Sequence, residues 1–189
     1  MGLFDRFRDP QKVRLEQEAR EAARIDEEAR RRDREIAEQI RQEEALARSE
    51  WRYRETVDEM RGAKTRFAEL TSENSVDLLF PYEGGSTTII CIRKNPDRTR
   101  EALILTVNGQ YDRDLSGYNF AMKIDSGRVS NWSANSAADG RANVMFVNNS
   151  VAFIAAVANA ERVILELPFY NNGRHQFFFN AQGMDKSFK

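Results

Sequence analysis

The pattern of apolar and polar positions changes close to residue 70 of the chain. Before that point apolar residues are sparse and recur at helical spacing, whereas after it they alternate with polar residues or form short runs. Asp9 and Pro10 are typical of a helix start, because aspartate accepts N-cap hydrogen bonds and proline lacks only an N–H that the first turn leaves unpaired. From residue 11 to 70 only Gly62 interrupts a run dominated by good helix formers. We therefore predict one long charged helix over residues 10–70 and a polar linker at 71–75.

The apolar positions of this predicted helix form two series with seven-residue spacing. In the first half the series is thin and acidic residues interrupt it, which is typical of a solvated rod or a weak coiled coil. In the second half the series is richer, and we expect it to pack on a sister helix, on a partner or on the rest of the chain. The predicted contact surface consists of Leu46, Trp51, Tyr53, Val57, Met60 and Phe67.

After residue 75 the period becomes that of β-strands, and turn signals such as Asn108-Gly109 separate most of the runs. The predicted strands are Val76–Phe80, Thr87–Arg93, Ala102–Val107, Tyr118–Ile124, Arg128–Ser133, Asn143–Val147, Val163–Phe169 and Gln176–Asn180. Ser150 is expected to cap one short helix over Val151–Ala160. Two of the three phenylalanines at 177–179 are expected to point inward, with Phe178 or its neighbours on the other face. We predict an α+β fold, in which the long N-terminal helix precedes a mainly antiparallel β-sandwich at residues 76–189 with one short helix.

Short motifs between residues 76 and 184 occur in an order that resembles a known family. The motifs are Tyr118-Asn119-Phe120-Ala121-Met122-Lys123-Ile124-Asp125-Ser126-Gly127, Trp132-Ser133, Val144-Met145-Phe146, the alanine-rich helix with Phe153, Val163–Leu167, a phenylalanine-rich strand and Ala181-Gln182-Gly183-Met184. This order resembles the VasI/TagO-like β-sandwich family of type VI secretion-associated proteins. The resemblance implies a β-sandwich without a clear enzymatic activity. The chain departs from that family in carrying a long charged helix instead of an export signal or lipoprotein start, and in carrying Lys123 where the family commonly has arginine.

Composition limits the chemistry more than it identifies it. The chain has 189 residues, with 29 Lys+Arg, 30 Asp+Glu, one His and one Cys. Residues 1–70 carry 17 basic and 18 acidic side chains and the remainder carries 12 of each, so both parts are nearly neutral and we expect no nucleic-acid partner. A single Cys excludes an internal disulfide and a thiolate zinc cluster, and a single His excludes a multi-histidine metal site. We therefore expect neither a metal nor a cofactor.

Residues 1–9 are predicted to form a separate short segment. We interpret this segment as one that docks on the rest of the protein or on a neighbouring protein through Leu3, Phe4 and Phe7. Contact with a membrane interface is the alternative. The chain has no apolar run of 18 or more residues and no apolar h-region near its start. We therefore expect no transmembrane segment and no secretory signal, and a location in the cytoplasm or in an assembled particle.

A few residues could support chemistry in the β domain. The candidate ligand residues are Asp112, Asp114, Asp125, Trp132 and His175. His175 is the only residue that could act as the usual base for a nucleophile, yet no nucleophile-elbow motif accompanies it, so we interpret it as a polar residue at a strand edge. Cys91 stands between two isoleucines and is interpreted as a small core side chain. We predict no catalytic residue.

The leading hypothesis is a non-enzymatic structural or assembly protein, in which the helix docks or oligomerises and places a β-sandwich interaction module in a larger complex. A phage virion or a secretion-type particle is the favoured context, with protein partners or further copies of the chain. A ligand-binding module or weak hydrolase on the loops of the sandwich is the second hypothesis. A peripheral membrane adaptor is the third.

Overall fold

The structure is a computed structural model that describes residues 10–47, 50–115 and 117–188. It contains two compact units that divide near residue 44. The described residues form one long helix, nine antiparallel strands and one short helix, which confirms the predicted α+β class. No helix in this described part combines the length and the apolar character that crossing a membrane requires.

Helix α1 spans Pro10–Ala47, and its described side chains are exposed. Ion pairs at i,i+4 spacing connect Arg14 with Glu18 and Asp26 with Arg30, at 3.2 and 3.5 Å. Each such exposed pair contributes about 0.3–0.5 kcal/mol to helix stability. The pairs therefore stabilise the helix but do not identify a packing partner. Apolar side chains such as Ile25 and Ile36 remain more than half exposed on this unit.

The predicted continuation of the helix to residue 70 is wrong, because residues 52–71 form a β-hairpin. Strand β1 spans Arg52–Asp58 and strand β2 spans Ala63–Thr71. Gly62 lies at φ +65° in the turn, a conformation that glycine adopts without steric cost, and the Asp58 carboxylate accepts from the Met60 N–H at 2.9 Å. The linker predicted at 71–75 therefore follows a strand, and the β unit begins well before residue 76.

The nine strands form one continuous antiparallel sheet. The remaining strands are β3 (Thr87–Lys94), β4 (Arg100–Val107), β5 (Tyr118–Ile124), β6 (Ser130–Ser136), β7 (Val144–Val147), β8 (Arg162–Phe169) and β9 (Gly173–Asn180). Their order across the sheet is β1-β2-β3-β4-β7-β6-β5-β8-β9. A second helix, α2, spans Ser150–Ala158 between β7 and β8, and a 3-10 turn at Lys186–Phe188 ends the described chain.

The two ends of the sheet approach each other, so that one sheet supplies both of the facing layers. The Glu73 N–H donates to the Phe178 carbonyl at 2.8 Å, and the Phe178 N–H donates to Asn74 Oδ1 at 2.9 Å. At the other corner, the Trp51 indole N–H donates to the Ala181 carbonyl at 3.1 Å. The sheet thus curls around a single interior.

That interior is filled by aromatic and aliphatic side chains from most strands and from α2. Phe120, Phe153, Phe177 and Phe179 are fully buried within it. Phe178 instead lies half-buried on the outer face, with the Arg162 guanidinium 5.3 Å from its ring centre. The predicted alternation of the phenylalanine run is therefore confirmed.

A second, smaller apolar cluster lies on the outer face of β3, β4 and β7. Its buried members are Cys91, Leu103, Ala137 and Val144, and Phe67, Leu105 and Phe146 pack against them. The Arg54 guanidinium lies 3.6 Å from the centre of the Phe67 ring, and that of Arg93 lies 5.5 Å from the centre of the Phe146 ring. Arginine side chains therefore cover part of this face.

Two local predictions need correction. Residues 76–80 do not form a strand, since only Val76 makes an isolated bridge, to Ser86. The N-cap of α2 is Asn149, whose side chain accepts from the Ala152 N–H at 3.2 Å. Ser150 instead donates its hydroxyl to the Val147 carbonyl and accepts from the Ala102 N–H, which links α2 to β4.

Candidate functional site

The candidate ligand residues do not converge on one cleft. Asp125 is the cap of β8, because its Oδ1 accepts from the Glu161 and Arg162 N–H groups at 3.1 and 2.8 Å. The Asp112 N–H donates to the Pro168 carbonyl, at the opposite end of the same strand. Because an eight-residue strand is roughly 25 Å long, Asp112 and Asp125 lie too far apart to share a ligand.

Trp132 and His175 have structural contacts of their own. The Trp132 ring packs edge-on against the Phe153 ring of α2, with the ring centres 5.5 Å apart. Its indole N–H donates to Ser130 Oγ at 2.8 Å. His175 is half-buried in β9, where its Nε2 lies 3.0 Å from the Asn172 carbonyl. Neither side chain contacts a candidate aspartate, so these five residues form no common site.

Asp114 lies beside a shallow depression of about 630 Å³. The Asn119 side-chain amide donates to Asp114 Oδ2 at 3.0 Å, and Arg113 donates to Ser136 Oγ at 3.1 Å on the opposite wall. Of the five candidate ligand residues the depression includes only Asp114. Nowhere in the described ranges do three His, Cys, Asp or Glu side chains come together in a way that could hold a metal ion.

A second depression, of about 490 Å³, lies on β5, β6, β8 and β9, and of the five candidate ligand residues it includes only Trp132. Its polar lining includes Glu166, which accepts from Arg174 Nε at 2.9 Å and from the Gln176 amide at 3.1 Å. These two partners, Gln176 first, hold the pKa of the Glu166 carboxyl below its usual range. The carboxylate is therefore ionised and already hydrogen-bonded at both oxygens.

The predicted helical contact surface does not exist as one face of a helix. Trp51, Tyr53, Val57, Met60 and Phe67 lie on β1, on β2, or beside them, and Trp51 is buried in the core. Leu46 belongs to the last turn of α1, but its side chain lies outside the described part, as do Leu3, Phe4 and Phe7. The physical reason is that Phe67 and Val57 pack as residues of strands, where aromatic and β-branched side chains are favoured.

Two adjacent apolar side chains, Leu79 and Phe80, are exposed on a loop, and we call this pair the apolar tip. Leu79 is 69% exposed and Phe80 82% exposed. The tip lies in the connection between the Val76 bridge and β3. The run Leu-Leu-Phe-Pro is a sequence signal for the tip, but its apolar residues also fit the strand predicted at Val76–Phe80, which the structure does not contain.

Side chains from two other segments, around residues 108–110 and at residue 172, fix the backbone around the apolar tip. The Leu79 N–H donates to Asn172 Oδ1 at 2.7 Å, and the Tyr82 hydroxyl donates to Gln110 Oε1 at 3.0 Å. The Asn108 side-chain amide donates to the carbonyls of Tyr82, Glu83 and Gly85 at 3.0–3.1 Å. The tip is thus held outward by hydrogen bonds from neighbouring loops.

The surroundings of the apolar tip are aromatic and acidic. Tyr170, which is half exposed, lies on the same turn as the Asn172 side chain that holds Leu79. Asp77 and Glu83 flank the tip in sequence, and both are exposed. An apolar centre with a polar, charged rim is the usual anatomy of a protein-binding surface.

Comparisons with known proteins do not assign the chain to a family. No protein-family model and no curated protein matches it. Among solved structures it is similar to invasion associated protein B from Bartonella henselae, with 12% sequence identity and a TM-score of 0.42, over 71% of this chain and 85% of that one. At that TM-score the likeness supports no argument about function, and the VasI/TagO resemblance stays a prediction.

Proposed function

We propose that the chain is a non-enzymatic assembly protein whose β unit binds another protein through the apolar tip. The carrying observation is the pair Leu79 and Phe80, which are exposed on a loop whose backbone is fixed by side chains of other segments. Leaving such a side chain in water forgoes about 1.5–3 kcal/mol of burial free energy. A partner protein that covers both residues would recover part of that free energy on binding.

The rim narrows the chemistry of the proposed partner. Asp77 and Glu83 are exposed and flank the tip in sequence, so its rim carries negative charge. Complementary charge favours a partner with an apolar pocket and basic residues at its edge. Within the proposal, α1 acts as a polar spacer in a larger protein particle, since its ion pairs keep it soluble without a core of its own.

Photo-crosslinking tests this proposal directly. We would place a photoreactive phenylalanine analogue at position 80, and in a matched control at position 151, because Val151 is equally exposed (76%) but lies on α2. We expect discrete crosslinked proteins at position 80 and loss of these products when Leu79→Ser is added. Identical products from both positions would mean that the tip has no preferred partner.

A further inference from the structure

Strand β1 forms one end of the sheet, and in the described part of the chain its outer edge is open at Glu55 and Val57. Six of its seven residues are exposed, and Asp58 is half-buried. It pairs with β2 along its whole length, from Arg52 opposite Glu69 to Asp58 opposite Ala63. An unpaired strand edge presents main-chain donors and acceptors that another strand can satisfy.

The hydrogen-bond pattern shows which main-chain groups face outward. The Ser72 N–H donates to the Thr88 carbonyl, so even-numbered residues of β2 are directed towards β3. Because directions alternate along a strand, odd-numbered residues of β2 are directed towards β1 and bond its even-numbered residues. The N–H and C=O groups of Glu55 and Val57 therefore point away from β2, and in the described part of the chain nothing pairs with them.

The charges of β1 select one register for pairing with a second copy. A two-fold axis at Arg54 or at Glu55 would place that charged residue opposite its own copy. An axis at Val57 would place Glu55 opposite Glu59, so all three registers set like charges against each other, which is destabilising. Centring on Thr56 places Arg54 opposite Asp58 twice, Thr56 opposite Thr56, and the outward groups of Glu55 opposite those of Val57. This register avoids like-charge pairs and aligns the free main-chain groups.

We propose that β1 pairs antiparallel with β1 of a second copy of this chain, with Thr56 on the two-fold axis. This surface is distinct from the apolar tip, and the proposal does not depend on it. The occupant is a second copy because the sequence of β1 is complementary to itself in charge. The contact is small compared with a stable dimer interface of about 800 Å² per partner, so the association is weak and depends on concentration.

Disulfide trapping tests the pairing at the axis. Thr56 and its symmetry mate form a non-hydrogen-bonded pair, whose Cα atoms lie about 4.5 Å apart, within the range that a disulfide bridges. Thr56→Cys should give a rapid covalent dimer under mild oxidation, because the native Cys91 is buried and does not compete. Val151→Cys, which is also exposed but lies on α2, is the control, and equal rates for both variants would overturn the proposal.

Charge substitution at the same position tests the register independently of any disulfide. Thr56→Lys and Thr56→Glu each place like charges opposite each other on the axis, so each variant alone should lose the concentration-dependent dimer in sedimentation velocity. An equimolar mixture of the two should regain it as a heterodimer. The proposal fails if the unmodified chain stays monomeric at every concentration, or if either variant alone associates as the unmodified chain does.

A proline substitution provides a third measurement that leaves side-chain charge unchanged. Val57→Pro removes an N–H that points away from β2, a replacement that edge strands tolerate. We expect the variant to retain the cooperative unfolding of the unmodified chain and to lose the dimer. A folded Val57→Pro variant that still dimerises would exclude main-chain pairing at this edge.

Discussion

Cys91 illustrates how the sheet determines the chemistry of a single residue. Its neighbours Ile90 and Ile92 point into the main core, so the thiol points to the outer face, where it lies in the second apolar cluster. Burial first, and then the nearby Glu69 carboxylate, raise the pKa of the thiol from 9.0 to about 12. The prediction of a small buried side chain is confirmed, although the cluster around it is the outer one.

We predict that Cys91 is unreactive in the folded protein. At pH 8 a group of pKa about 12 is ionised in roughly one molecule in ten thousand, and the thiolate is the reactive form. Labelling with a disulfide reagent should therefore be slow in buffer and rapid in denaturant. Thiol labelling of Thr56→Cys, which adds an exposed cysteine, is the positive control, and rapid labelling of the folded unmodified chain would contradict the prediction.

The raised pKa of the Cys91 thiol also affects the stability of the protein at alkaline pH. The folded pKa is raised above the unfolded value of 9.0, so the contribution of the neutral thiol is complete below pH 9 and is lost as the pH rises from 9 towards 12. The free energy of unfolding should fall over that range, and less steeply in Cys91→Ala. Burial also raises the pKa of Tyr111, which accounts for the part of the decline that remains in the variant.

At the scale of elements, the loop at residues 77–85 shows how side chains replace regular structure. It forms no strand, and three of its carbonyls, those of Tyr82, Glu83 and Gly85, instead accept from the Asn108 amide. Asn108 adopts φ +60°, a conformation that asparagine tolerates better than most residues. The hairpin of β1 and β2 depends in a similar way on Gly62 and Asp58 at its turn.

We predict that Asn108→Asp loosens this loop. The carboxylate cannot donate to the three carbonyls and adds negative charge beside them, so we expect a loss of about 1–3 kcal/mol in unfolding free energy. Amide exchange of residues 79–85 should accelerate in hydrogen-exchange mass spectrometry. Asn131→Asp is the matched control, because the Asn131 side-chain amide has no hydrogen-bond partner in the described residues. Equal amide exchange in both variants would argue that the Asn108 hydrogen bonds do not hold the loop.

At the scale of the molecule, the buried core of the described residues belongs to the β unit. Every residue of the main buried cluster lies between Trp51 and Phe188. Phe188 closes one corner of the sheet, where its ring packs 5.6 Å from Tyr53 and the Arg66 guanidinium lies 5.0 Å away. The C-terminal residues thus contribute to the same core as the first strand.

We predict that a fragment of residues 50–189 folds cooperatively. Urea unfolding followed by tryptophan fluorescence should give a single transition, because both tryptophans lie within this unit. Phe188→Ala in the same fragment should lower the unfolding free energy by about 3–5 kcal/mol, since it removes a fully buried ring. A fragment without a cooperative transition would show that the core needs residues before position 50.

The sequence by itself determined those elements whose local pattern and final environment agree. Seven strands beyond residue 86, the short helix α2 and the alternation of Phe177, Phe178 and Phe179 follow from period-two patterns and turn residues. The helical conformation of α1 follows instead from its run of good helix formers after Pro10. In the strands and in α2, burial in the fold reinforces the preference of the local sequence.

Only the tertiary structure decided the conformation of residues 52–71, and only it showed that the candidate ligand residues do not lie together. Between 52 and 71 the local sequence contains helix-favouring glutamates and arginines, but pairing with β3 and burial of Trp51 and Leu70 are available only in a sheet. Asp112 and Asp125 are both candidate ligand residues of the sequence, but the fold places them at opposite ends of β8. The open edge of β1 likewise became visible only once the strand order was known, because an unpaired edge depends on which strand comes last in the sheet.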